Sequence, residues 1–340
     1  MTDGTANPST FTRNANAKKQ RSVVQSLRSF TAWHTIAPPL VFFAMLAIVG
    51  LFNPNYLGPF GISIATGTAA PILLIAVGQA MVLNIGSIDL SNAAISMLGA
   101  ILLALMVPEI GLAGIAVVLL VMTLIGALNG AILAYTQVPS FAMTLGTLGI
   151  LQTAALVISD SQTIYLSQNR DLVTTIYNTN IFFIPLTFWL GVAVALVYMV
   201  LLRFTVLGQN MTAVGKNESG AILSAIPHRR IKTITFAISG FTGAVAGLCI
   251  VAQAGSASAS GLGSNLLLPG IAAALVGGTS ISGGLTNPIN VIFGALTVAF
   301  VPIAIQALGF GAQAQSLVYG IFIIAVVALT TTRVRGLIIK

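Results

Sequence analysis

Apolar residues run along this chain in ten stretches, at about 33–52, 63–84, 93–107, 112–135, 141–158, 182–202, 233–254, 266–282, 288–308 and 314–332. A helix needs about 20 residues to cross the ~30 Å hydrocarbon core of a bilayer, and most of these stretches suffice. Those near 93–107 and 266–282 fall short, which predicts tilt, a break or partial insertion at both places. Between the sixth and seventh stretches lies a polar, basic segment, 203–232, far longer than a connector requires. A short helix is expected within it at 217–225, ended by Pro227, so the segment reads as a docking element rather than a plain link. A second polar stretch, 159–181, contains Asp160, Asn169, Arg170, Asp171, Asn178 and Asn180. It reads equally well as a solvated loop or as a place for an extracellular partner.

Composition agrees with this pattern. Hydrophobic residues make up 56% of the 340 residues and charged residues only 6%, against about 25% charged in soluble domains. The fold class is therefore all-α, a polytopic integral membrane protein. The net charge of +8 does not point to nucleic acid, because the basic residues flank apolar stretches instead of forming a face. Thirteen of the 14 Lys and Arg lie in three places: the arm 1–30, the segment 203–232, and the end of the chain with Arg333, Arg335 and Lys340. Only Arg170 lies elsewhere. The excess of positive charge on cytoplasmic loops then puts all three inside. Six crossings followed by four satisfy that arrangement, which gives ten membrane helices with both termini cytoplasmic. The domain organisation is a flexible arm (1–30), one transmembrane domain (31–335) carrying the loop 203–232, and a tail (336–340).

Candidate chemistry is sparse. Cys249 is the sole cysteine, and His34 and His228 are too few and too far apart for a metal or catalytic cluster. No phosphate-binding G-x-x-x-x-G-K-[ST] loop and no nucleophile–base constellation occurs, so ATP-driven transport would need another chain to hydrolyse the nucleotide. A secondary, ion-coupled carrier of a small polar solute remains open, although Asp89 alone makes a poor relay; a membrane enzyme is a more distant reading. Asp89 is the one acid deep in an apolar context. It either takes part in transport or caps the helix that begins near Asn92 by accepting N–H bonds. Two glycine-containing stretches, Gly86–Ser91 and Gly277–Ser282, align at one fixed offset, which hints at an internal repeat. The second, with Gly277, Gly278, Thr279 and Ser280, reads as a turn that touches substrate or closes a gate.

Four stretches resemble one family, the membrane permeases of bacterial ABC importers of the ribose/xylose/galactose type. Gly86-Ser-Ile-Asp89-Leu-Ser91 is similar to its Gly-Gly-Ile-Asp-Leu-Ser, and Val138-Pro-Ser-Phe141-Ala-Met-Thr144-Leu-Gly-Thr147 to its Ile-Pro-Pro-Phe-Ile-Val-Thr-Leu-Gly-Thr. Ala213-Val-Gly215-Lys-Asn217-Glu218 follows its cytoplasmic Ala-Ile-Gly-Gly-Asn-Glu, and Gly277–Gly284 keeps Gly-Gly-Thr-Ser-Leu-Ser-Gly-Gly. Departures are Ser87 for a glycine, Asn92-Ala-Ala for Val-Gly-Ser, and Ala225 where the loop normally has glycine. The resemblance implies import of a small sugar across the inner membrane by alternating access. It also implies a core of two permeases (homodimer or heterodimer), with cytoplasmic ATPases that bind the ATP and Mg and a periplasmic sugar-binding protein. The chain itself would hold no cofactor. Gly215, Asn217, Glu218, Ala221, Ser224, Ile226, Arg229 and Arg230 would form the ATPase-coupling loop. Within that loop, Ala221 and Ser224 are expected to approach a partner closely and Glu218 to meet a partner cation. Asp89, Ser91, Phe141, Thr144, Gly277, Gly278, Thr279 and Ser280 would belong to the pathway or gate.

Overall fold

The computed structural model describes residues 36–136, 138–260, 265–307, 309, 311 and 313–330. The arm 1–30, the tail 336–340 and both termini lie outside the described residues. Helices dominate: α1 (Ile36–Phe52), α2 (Pro59–Asn84), α3 (Asn92–Ile110), α4 (Leu112–Thr136), α5 (Ser140–Ile158), α6 (Arg170–Asn178), α7 (Leu186–Phe204), α8 (Val206–Lys216), α9 (Glu218–Leu223), α10 (His228–Ala254), α11 (Leu267–Val276), α12 (Pro288–Ala307) and α13 (Ala314–Thr330). Seven of them (α2–α5, α7, α10 and α12) are long and apolar enough to cross a membrane, while α1, α11 and α13 are shorter.

The ten apolar stretches thus each hold one helix, with one correction. The stretch near 93–107 is not short, because α3 runs through 19 residues; Pro108 near its end costs no turn, since the helix stops at Ile110. The stretch 266–282 is short as expected. Its α11 has 10 residues, about 15 Å, and Gly270 packs against Ile75 in the interior of α2.

Backbone proximity, not side-chain bulk, organises the bundle. In lipid no hydrophobic force drives helices together, so small residues that let backbones approach decide the contacts. Gly126 and Gly130 of α4 face Phe236, Gly240, Lys232 and Thr233 of α10, and Gly247 of α10 faces Ser96 and Ala100 of α3. One buried cluster unites residues of α2, α4 and α7 to α13. A second unites α3, α4, α5 and α10. Helix α10 belongs to both, as does α4 through Leu133.

The segment 203–232 is more helical than its polarity suggests. Only α9 is expected from the sequence; α8 is additional, and α10 starts at His228. Thr205 caps α8 through its Oγ1, which accepts from Gly208 N, and Asn217 caps α9 by accepting from Gly220 N at 3.0 Å. At the far end of α9, Ile226 N donates to Ala221 O and Ala225 N to Ile222 O, both at 3.0 Å, which closes a Schellman turn. Its left-handed position is Ala225, with φ of 58°. A Cβ there costs roughly 1 kcal/mol that glycine avoids. Ala225→Gly should therefore raise the unfolding midpoint in detergent by about 2–4 °C. An unchanged or lowered midpoint in a thermal scan would show that the turn is not strained.

Candidate functional site

Three chain segments meet at one end of the bundle, and each meets the others through glycine. Helix α2 ends in a Schellman turn with Gly86 left-handed (φ 74°), Gly86 N donating to Leu83 O and Ser87 N to Val82 O. Helix α11 ends the same way at Gly278 (φ 81°), with Gly278 N to Leu275 O and Thr279 N to Ala274 O. The two turns are alike, yet the structural match sets Gly86 against Gly278. The offset read from the sequence paired Gly86 with Gly277, one residue out of step. Gly215, in the last turn of α8 within the basic elbow 203–232, sits between the Gly86 turn and the loop of Gly283 and Gly284 that follows the Gly278 turn. A Cβ on Gly215 would land on the Asn84 carbonyl oxygen and lie 2.7 Å from Gly284 N. Gly284 N itself donates to Asn84 O at 2.9 Å. A Cβ on Gly283 would meet Gly215 O at 2.6 Å and Gly86 N at 2.9 Å. The two glycine turns and the basic elbow therefore touch backbone to backbone.

Beside this junction lies a cavity of about 400 Å³ whose lining includes Asn84, Arg203, Thr212, Gly277, Gly278 and Asn287. Asn84 Nδ2 donates to Thr212 Oγ1 at 3.2 Å, tying α2 to α8. Thr279 is buried with its Oγ1 2.9 Å from that of Thr286, and Ser280 accepts from Ser282 N at 3.2 Å through its hydroxyl. Both therefore hold the turn's shape.

Asp89 lies on the next segment, 1% exposed. Its Oδ1 accepts from Ser91 N at 2.9 Å and Ser91 Oγ at 2.5 Å, and its Oδ2 accepts from Ser239 Oγ at 2.7 Å. Further donors feed these hydroxyls: Asn129 Nδ2 to Ser91 Oγ at 2.9 Å and Asn92 Nδ2 to Ser239 Oγ at 2.5 Å. Thr147 Oγ1 lies 3.1 Å from Asn129 Oδ1. Ser91 at the start of α3 and Ser239 of α10 thus bond the carboxylate directly, and α4 and α5 are tied to it through Asn129 and Thr147. A carboxylate accepts only, so a ring of donors is the arrangement it requires in an apolar interior. Thr144 and Ser140 of α5 complete the bracket, accepting from Leu90 N at 3.1 Å and Ile88 N at 3.0 Å. Asp89, Ser91 and Thr144 are all buried, whereas Phe141 is 55% exposed on the open side of α5. Sequence reading missed Ser140, Asn129, Thr147 and Ser239. Asn129, an amide inside the apolar run of α4, was the available signal.

On the elbow itself the contacts are largely internal. Glu218 Oε1 pairs with Lys232 Nζ of the same chain at 2.6 Å, so within this chain its carboxylate already has a cation. Ala221 is 4% exposed and packs into the core shared with α2 and α10, so it seats α9 against its own chain and is not presented outward. Arg229 stacks 5.0 Å from the Tyr135 ring centroid, Arg230 is exposed, and Ile226 is half-buried. What α9 presents outward is Ile222 (48% exposed), Leu223 (89% exposed) and Ser224. Leu223 is the missed residue here, since in the run Ala221-Ile222-Leu223 nothing in the sequence says which side chain faces the core.

A polytopic helical bundle with a rigid, externally displayed elbow wired to buried helix ends is built as a transport permease. The family described as the permease component of a branched-chain amino acid transport system matches residues 61–327, and the chain belongs to it. Among curated relatives, the ribose import permease of Haemophilus influenzae is 33% identical over 287 residues, covering 83% of this chain and 88% of that protein. The L-arabinose transport system permease of Escherichia coli is 30% identical over 295 residues, 85% and 88% of the two chains. The autoinducer 2 import permease of Photorhabdus laumondii is 29% identical over 290 residues, 83% and 86%. No solved structure matches. The chain is a multi-pass inner-membrane permease of the ABC importer class, similar to sugar importers along most of its length.

Proposed function

We propose that the chain imports a small sugar, a pentose or hexose, as one of two permeases in a binding-protein-dependent importer. Partner ATPases bind ATP and Mg and dock on the elbow, a periplasmic protein delivers the sugar, and the transmembrane domain 31–335 alternates between outward- and inward-open states. Orientation follows the basic clusters, with the elbow in the cytoplasm. The observation that carries the reading is the α9 surface: Leu223, 89% exposed, projects from a helix whose other side is locked to the core. A short helix with an apolar knob is suited to a groove on a soluble partner. Support for a sugar comes from the ribose and arabinose permeases among the relatives.

Leu223→Asp tests this directly, because it leaves Ala221, the Glu218–Lys232 pair and the glycine junction untouched. Membrane level should stay normal while co-purification of the ATPase and uptake of radiolabelled ribose or arabinose fall by about tenfold or more, as loss of a central apolar anchor predicts. Normal co-purification would remove the docking claim. Intact docking by the unaltered chain with no uptake of any pentose or hexose would remove the sugar and leave the importer.

A further inference from the structure

The chain enters α7 through a hairpin. Strands Asn180–Ile181 and Ile184–Pro185 pair antiparallel, Ile181 opposite Ile184, which leaves Phe182 and Phe183 as a two-residue turn. Both are left-handed, with φ of 53° and 66°. Turns of this kind normally carry Asn-Gly, because a side chain is unfavourable at either place and a bulky one more so. Phe182 is 83% exposed and Phe183 60% exposed, so no contact within the chain compensates for the conformation. Strain of this sort points to a role outside the chain.

We propose that the two rings insert into the headgroup–acyl boundary of the leaflet opposite the elbow and anchor the start of α7 there. Helix α7 begins at Leu186, directly after the hairpin, and its 19 residues span about 28 Å, so the hairpin lies at the membrane boundary far from Arg203. Trp189, one turn into α7, donates from Nε1 to Ile181 O at 3.4 Å and holds the hairpin beside the helix. The exposed apolar surface continues down α7 through Leu196, Val197 and Val200. Residues 179–189 carry no charge, whereas a soluble docking partner is usually steered by complementary charge. The charged residues on this side, Glu109, Asp160, Arg170 and Asp171, belong to the end of α3 and to the segment before the hairpin. Aromatic rings at the boundary are the arrangement a bilayer favours. This inference rests on insertion into a membrane and not on which solute is carried.

The test compares the full chain carrying Phe182→Trp and Trp33→Phe with the chain carrying Trp33→Phe alone, both reconstituted into phosphatidylcholine vesicles, so that Trp189 keeps its bond to Ile181 O and the added emission belongs to position 182. Lipid brominated near the glycerol end of its acyl chains should quench the Trp emission roughly twofold, and aqueous iodide should have little effect. Strong iodide quenching without quenching by bromolipid would overturn the proposal. So would shielding from iodide that arises only on adding a sugar-loaded periplasmic binding protein, which would assign the rings to a protein contact. A second variant guards against a misfolded probe: Phe182→Asn/Phe183→Gly gives the turn its preferred residues. It should raise the unfolding temperature in detergent and lose that gain in vesicles, where the native rings have lipid to hold. An equal gain in both settings would also overturn the anchor.

Discussion

Asp89→Leu is expected to leave almost no folded protein in the membrane, while Asp89→Asn is expected to insert and retain much of the transport. Leucine strands Ser91 N–H, Ser91 Oγ and Ser239 Oγ without an acceptor in a buried place. At about 1–3 kcal/mol for each unsatisfied group, the sum exceeds roughly 3 kcal/mol of a net stability of about 5–15 kcal/mol. An asparagine can keep its Oδ1 toward Ser91 but then points an amide donor at Ser239 Oγ. That hydroxyl already accepts from Asn92, and a hydroxyl has two lone pairs, so the network can re-form with about 1 kcal/mol lost. Size-exclusion profiles of the solubilised variants, read beside sugar uptake, separate the cases. An asparagine variant that inserts in full amount and transports nothing would show that the charge takes part in the cycle. A well-folded leucine variant would show that the donors have other partners.

Gly215→Ala should abolish uptake while leaving the ATPase bound. The added methyl falls on the Asn84 carbonyl and crowds Gly284 N, two backbone groups that cannot swing aside as a flexible side chain would. Forcing atoms into a packed site costs about 1–3 kcal/mol, and here it must also break the Gly284 N to Asn84 O bond. Since α9 and Leu223 are unaffected, ATPase co-purification should remain normal, whereas uptake should fall at least about tenfold, the equivalent of 1.4 kcal/mol. This pattern is the converse of the one expected for Leu223→Asp. Undiminished uptake by Gly215→Ala would mean that the three segments touch without transmitting anything.

The membrane class and the ten helical stretches were legible because each leaves a local trace, and so were the glycine-rich stretches themselves, though not their meeting at Gly215. Lengths of apolar sequence, charge at their ends and glycines in runs are all visible along one dimension. The internal partner of Glu218 was not legible, because Lys232 lies 14 residues away across a turn whose geometry depends on Asn217 and Ala225. Ala221 illustrates a different limit. A small residue on a short helix has the same appearance whether it admits a foreign surface or its own core, and only the packing of α9 against α8 and α10 decides. The donors around Asp89 escaped notice for a third reason. Ser239 is 150 residues from it, and a serine in a membrane helix usually bonds its own preceding turn, as Thr235 and Thr242 do here.

The shared membership of α10 in both buried clusters has a mechanical consequence. A bundle made of two halves that own separate helices can flex along the seam, and work delivered to one half is absorbed as internal deformation. Here the seam is occupied by a 27-residue rod whose glycines are keyed into α3 and α4 on one side and whose apolar residues are keyed into α2 on the other. Such a body has little compliance of its own. With both clusters built on the same helix, a displacement applied at the elbow is expected to move them together rather than to open a seam between them.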